Sequence, residues 1–245
     1  MRTFLRHHGL SIVLVFMFIG TMLGQTFTGL REHNETQREH GQPQSTLSEY
    51  LKSGHFWEAT AENWESEFLQ MAMFVFLTAK LYQKGSAESK DPDGEDAVDN
   101  DPRLSAHDPR APGPVRRGGA ALWLYSHSLS LTFLVLFLAS FFIHAVGGAV
   151  EYNQDQQAHG EAPATVVQYM GTSRFWFESM QNWQSEFLSL AAMVVLTIFL
   201  REKGSPESKP VATPHWESGE EDPRLIPIPV VDRGKVRADV VPRPA

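Results

Sequence analysis

The chain has 245 residues, 21 Lys+Arg against 29 Asp+Glu for a net charge of −8, and no cysteine. Zero Cys excludes a disulfide framework, a thiolate metal site and a cysteine nucleophile, and the acidic balance argues against nucleic acid as a partner. The apolar fraction of 42% is ordinary, but it is gathered into dense blocks separated by Gly-, Pro- and acid-rich stretches, the distribution of a membrane protein with polar loops.

In chain order, the first element is an apolar stretch from Gly9 to Leu30 without a single Lys, Arg, Asp or Glu. It exceeds the roughly 20 residues a membrane span needs and is predicted to cross at about 10–30. Arg2 and Arg6 ahead of it would also suit a signal peptide, yet "MLGQTFTG" is a poor cleavage site, so a retained span is expected. A polar loop follows, where Thr46-x-x-Glu49 fits a capping box and predicts a short amphipathic helix holding Tyr50 against the bilayer. Phe56, Trp57 and Trp64 read as an aromatic belt at headgroup level.

The second span is predicted at about 64–83. The chain from Ser86 to Gly118 lacks apolar periodicity and reads as mostly disordered, with 91–117 as a cytoplasmic linker. From Gly118 to Val150 there is again no charged residue, which gives a third span at about 121–149. The next loop carries Thr165-x-x-Gln168, Tyr169 and a second aromatic set, Phe175, Trp176 and Trp183. The last apolar run, Phe187 to Leu200, is 14 residues, only about 21 Å of helix against a hydrocarbon core of about 30 Å. A crossing helix at about 182–200 must therefore take Asn182, Trp183 and Glu186 into the outer boundary. The tail, 210–245, reads as disordered.

These elements occur twice. Sliding the chain over itself by 119 positions (182 minus 63) aligns "NWESEFLQMA" at Asn63 with "NWQSEFLSLA" at Asn182, and the match runs from Leu10–Lys90 onto Leu129–Lys209. It includes Gly85-Ser86-x-Glu88-Ser89-Lys90 against Gly204-Ser205-x-Glu207-Ser208-Lys209. A period of this length marks a duplicated unit, here 1–90 and 118–209. The fold expected is all-α: four transmembrane helices from two tandem hairpins of the same orientation, each with an outward interfacial segment. Lys and Arg concentrate before the first span, between the second and third, and after the fourth. By the positive-inside rule both termini are expected on the cytoplasmic side.

Asn63, Glu67, Gln70, Phe74 and Thr78 fall on one helical stripe, and their partners are Asn182, Glu186, Ser189, Met193 and Thr197. Such a stripe should face protein or water. Glu67 and Glu186 could form a carboxylate pair that relays a proton or binds a cation, or could serve packing near helix N-termini. Asn63 with Asn182, Ser66 with Ser185, and Thr78 with Thr197 read as interhelical glue or as walls of such a pathway. His144 reads as an interhelical polar residue. Glu32, His33, Glu35, Glu39 and His40 are metal-competent but lack ligand spacing, so no metal or cofactor is expected. The Gly-Ser-x-Glu-Ser-Lys blocks read as helix terminators. No catalytic motif has usable spacing, so the expectation is a non-enzyme with a structural or partner-binding role in the envelope, and a small proton- or cation-conducting channel or carrier as the alternative. Expected partners are the lipid bilayer and a membrane protein, either a second copy of this chain as a homo-oligomer or another.

The stretches "GHFWEATAENWESEFLQMAMFVFLTAKLYQKGSAESKDPD" and "FWFESMQNWQSEFLSLAAMVVLTIFLREKGSPESKP" resemble a family of uncharacterised bacterial integral membrane proteins, a domain of unknown function with this duplicated layout. The resemblance covers nearly the whole chain apart from its tails. It implies a cytoplasmic-membrane location and supplies no activity.

Overall fold

The computed structural model describes residues 2–94 and 96–218, and among these all regular structure is helical. The longest element is α1, Arg2–Glu39. It continues past the predicted end at Leu30 because Arg31–Glu39 is rich in unbranched charged residues, which lose little freedom in a helix. Next come α2 (Leu47–Tyr50), α3 (Gly54–Thr78), α4 (Gly113–Arg117), α5 (Gly119–Ser126), α6 (Ser128–Ala158), α7 (Val166–Met170) and α8 (Ser173–Phe199). Of these, α1, α6 and α8 are long and apolar enough to cross a membrane. The helix expected as the second span, α3, differs from 64–83 at both ends: Ser53 caps its N-terminus by accepting the Phe56 N–H, and it stops at Thr78. It also carries Glu58, Glu62, Glu65 and Glu67, which lower its apolar character.

The described residues form two compact units whose bounds differ from 1–90 and 118–209: one holds 2–80 with Asp101–Ala192, the other the described part of Leu81–Asn100 with 193–218. The larger unit is organised by α3 against α6, its most extensively packed pair. Glycines set the closeness of that contact. A Cβ on Gly54 would lie 2.7 Å from the Gly147 carbonyl oxygen, and one on Gly147 would lie 2.8 Å from the Glu58 backbone nitrogen. Small residues that let helix backbones meet are the usual means of packing helices where lipid removes the hydrophobic drive. Phe141 meets Phe175 and Phe137 meets Trp183 edge-on, joining α6 to α8.

Both polar loops of this unit are fixed by local hydrogen bonds. Thr46 and Thr165 make complete capping boxes with Glu49 and Gln168, as their spacing predicts. Eleven residues back in each case, the Asn34 side chain clasps the backbone of Ser45, and Asn153 clasps Ala164. Tyr50 and Tyr169 are buried within the protein, which corrects their expected place against the bilayer.

In the second unit, the Gly-Ser-x-Glu-Ser-Lys blocks close on themselves. The Ser86 and Ser205 hydroxyls accept the N–H of Glu88 and Glu207, each at 3.1 Å, while Ser89 and Ser208 accept the N–H of Gln83 and Glu202 at 2.8 and 2.9 Å. Gly85 and Gly204 take the positive φ of 88° and 91° that opens each loop, a conformation other residues adopt at a cost. They lie several residues beyond Thr78 and Phe199, so they shape loops where helix caps were expected. Burial holds the Glu88 carboxyl above the usual range, with Glu207 adding like-charge repulsion. The stretch expected to be disordered, 91–117, contains two 3-10 turns, the short α4, and ion pairs from Lys90 to Asp99 and Arg110 to Asp108. Residues 210–218 are turn-rich, and the rest of the tail, 219–245, lies outside the described residues.

Candidate functional site: a buried ionic network

One stripe of α3, Gly54, Glu58, Ala61 and Glu65, recurs at steps of 4, 3 and 4 and is buried throughout. Two of its four members are glutamates, and an unpaired buried carboxylate would be strongly unfavourable. Each has partners. Glu65 accepts from the His144 ring, Nδ1 to Oε2 at 2.7 Å, with neither side chain exposed to solvent. Its other oxygen, Oε1, accepts the Trp183 indole N–H at 2.9 Å. This carboxylate thus ties α3 to α6 and α8 at a single point.

Beyond His144, Nε2 lies 3.6 Å from Glu178 Oε2 and has no hydrogen-bond partner. The imidazole therefore sits between two carboxylates, stacked on Phe175 with ring centroids 4.8 Å apart. Glu178 accepts the Tyr169 hydroxyl at 2.7 Å and the Arg174 Nε at 2.9 Å, while Tyr169 also lies 3.3 Å from Glu58. The Tyr169 phenol is held above its usual pKa, first by burial and then by its bond to Glu178. Arg174 reaches on to Asp155 at 2.7 Å, at the exposed end of the chain of contacts. Beside it, Asn182 donates to Glu62. Eight ionisable groups are so arranged that each buried carboxylate faces a donor, and the order Asp155, Arg174, Glu178, His144, Glu65 runs from the surface inward.

The residues singled out by sequence lie mostly outside this network. Glu67 is exposed and Glu186 half-buried; they are near enough for the charge of Glu67 to act on Glu186, but no enclosed carboxylate site forms. Their stripe does meet at one point, where Gln70 donates to the Ser189 hydroxyl and to the Glu186 carbonyl, both at 2.9 Å. Asn63, Ser66, Ser185 and Thr78 satisfy themselves on their own helices, because short polar side chains in a helix reach the carbonyl three or four residues back. Of the polar stripe, Asn182 joins the network through Glu62, as Trp183 of the aromatic set does through Glu65. Thr197 belongs to the second unit, where it bonds Ser86 at 3.1 Å. Of the aromatic belt, Trp57 and Trp176 are exposed and Trp64 and Trp183 half-buried, whereas Phe56 and Phe175 are buried in the protein. Among the described residues no cluster of His, Asp and Glu fits a metal ion.

The network residues escape a reading based on the repeat for a physical reason. Glu58, Glu62, Glu65, Glu178, Arg174 and His144 align at the 119-residue offset with Phe177, Gln181, Gln184, Ala59, His55 and Gln25. The network exists once, at positions where the two copies differ. The signal available was the i, i+4, i+7 spacing of Glu58, Glu62 and Glu65.

No curated protein and no solved structure matches the chain. One family model does, over residues 1–220. The resemblance seen in the repeated motifs is thereby given its place: the chain belongs to the family described as Domain of unknown function (DUF6766).

Proposed function

We propose that this is a non-enzymatic, four-span protein of the bacterial cytoplasmic membrane, made of two equivalent hairpins with both termini inside, whose role is structural or partner-binding in the cell envelope. The observation that carries the reading is the buried Glu65 carboxylate, engaged at both oxygens by His144 and Trp183. Counted back from Lys80, a span of about 20 residues takes in Glu62, Glu65 and Glu67, so α3 can cross as the second span only where its carboxylates are sheltered by other helices. Polar contacts of this kind fix which helices pack together and in what register. The corresponding capping boxes, Asn clasps and serine-closed loops support equivalent construction of the two halves.

A second reading, proton or cation conduction, draws on one feature: His144 lies between Glu65 and Glu178, an arrangement that can pass a proton. The chain of groups favours the structural role, because it ends inward at the Trp183 N–H, which can donate but not accept. The test is ion flux into proteoliposomes under an imposed potential and pH gradient, comparing wild type with Glu65→Gln and with the double variant Glu67→Gln/Glu186→Gln. No flux in any of them, together with lower stability of Glu65→Gln, is expected. Flux lost in either variant would establish conduction instead. A reporter fused to the C-terminus should be active only in the cytoplasm, and external activity would overturn the topology.

A further inference from the structure

The faces that meet between α3 and α6 have counterparts at the 119-residue offset, on α8 and α1, which differ from them in most residues and are not packed on one another. On α3 the face against α6 is Gly54, Glu58, Ala61, Glu65 and, two turns on, Ala72, all buried. At the 119-residue offset the same stripe of α8 is Ser173, Phe177, Met180, Gln184 and Ala191, and every one of these is exposed. The face of α6 that receives α3 includes Ser140, Ile143 and Gly147; its counterparts on α1 are Thr21, Gly24 and Thr28, again all exposed. In the apolar stretches of α1 and α8 only 6% of residues are buried, against 17% in α6. Within the chain α1 touches α3, and α1 and α8 do not pack on one another as α3 and α6 do.

We propose that this bare pair of faces binds a second copy of the chain, α8 of one packing on α1 of the other and the reverse, so that two chains close a ring of four helical hairpins. A contact corresponding to that between α3 and α6 is thereby formed at both ends, and each chain supplies both halves of the contact, as a closed symmetric dimer requires. The polar groups on the free faces support this over exposure to lipid. Gln184 replaces Glu65 and stands exposed within an apolar helix, while Gln25, which replaces His144, uses its amide nitrogen on Thr60 at 3.2 Å and keeps its carbonyl for a donor. Facing Gln25 of the second copy, the Gln184 amide gains a protein partner in place of water or headgroups at the outer boundary. Ser173 and Thr28 stand where Gly54 and Gly147 meet, so the outer ends must lie further apart than in the α3–α6 pair. Closest approach shifts inward to Gly20 and Gly24, whose backbones are open, with no atom within 4 Å of either Cβ position.

The inference rests on residence in a membrane, and the test separates the two. Because the chain has no cysteine, two tagged forms, one Ser173→Cys and one Thr28→Cys, can be co-expressed and oxidised in native membranes with copper phenanthroline. A mixed disulfide dimer is expected at several times the yield of a control pair, Ser173→Cys with Phe142→Cys, whose second site is exposed on α6. Adding Gln184→Leu to both tagged forms should lower the mixed-dimer yield. Protein missing from the membrane fraction would defeat the membrane reading. Protein present there with no mixed dimer, with a yield equal to the control, or with a yield indifferent to Gln184→Leu would overturn this one.

Discussion

Glu65 and His144 lie 79 positions apart in the chain and meet at 2.7 Å with neither side chain reaching solvent. A buried ionic contact contributes little net stability against a well-packed apolar pair, but removing one member leaves the other buried and unpaired, which costs about 3–5 kcal/mol. Its expected effect is therefore on specificity, by favouring the register of α3 and α6 in which the two groups meet.

Outward from that pair the cost of a deletion should fall. Tyr169→Phe removes a 2.7 Å bond to Glu178, and Tyr50→Phe removes a 3.3 Å contact with His55. Bonds to charged groups are worth about 1.5–3 kcal/mol and ordinary ones about 1 kcal/mol. Thermal unfolding in detergent should rank Tyr169→Phe as the more damaging of the two; the reverse order would mean that Glu178 is not held by Tyr169.

The glycine contact should behave as a steric limit. Gly147→Ala places a Cβ 2.8 Å from the Glu58 backbone nitrogen, whereas Gly9→Ala on α1 meets nothing within 4 Å. Overpacking of the first kind costs about 1–3 kcal/mol, while the second should be neutral or stabilising by about 0.5–1 kcal/mol. Urea or thermal denaturation of the two variants in the same detergent is the check, and equal effects would argue that α3 and α6 are not in backbone contact.

The two capping boxes should differ in acid. Glu49 is held below its usual pKa by accepting first the Thr46 N–H and then its hydroxyl. A carboxyl whose folded pKa is depressed stabilises the fold above its ordinary value of 4.5 and loses that contribution as pH falls through the lowered folded value. Gln168 makes the same bonds to Thr165 and does not titrate. Hydrogen exchange of residues 47–51 should therefore quicken on acidification relative to that of 166–170, after correction for intrinsic rates, and Glu49→Gln should abolish the difference. Parallel behaviour of the two segments in the wild type would contradict it.

Much of the frame was legible because it depends on local rules. Absence of charge from Gly9 to Leu30 and from Gly118 to Val150 marked apolar helix, although the second stretch is divided at His127 into α5 and α6, and the Thr-x-x-Glu and Thr-x-x-Gln spacings marked the capped turns. Helix ends were less legible: α3 starts at Gly54 because Ser53 caps it, and it stops at Thr78, short of the loop that Ser89 closes around Gln83. The network was hidden for another reason. Identity between the two copies drew notice to Glu67 and Glu186, yet what a membrane helix buries depends on which neighbour it meets. α3 is the helix packed along α6 at this depth, so Glu65 gains His144 while its counterpart Gln184 remains exposed. Periodicity assigns residues to a face of a helix; it does not say which face is covered.

The most direct test of the central claim is a double-mutant cycle on Glu65 and His144, with Glu65→Gln, His144→Gln and the double variant compared with wild type by reversible unfolding in detergent. If this pair locks α3 to α6, the two losses will be strongly non-additive, with a coupling energy of about 2 kcal/mol or more, within the range contacting residues show. Losses that add to within about 0.5 kcal/mol, as for independent sites, would contradict the lock.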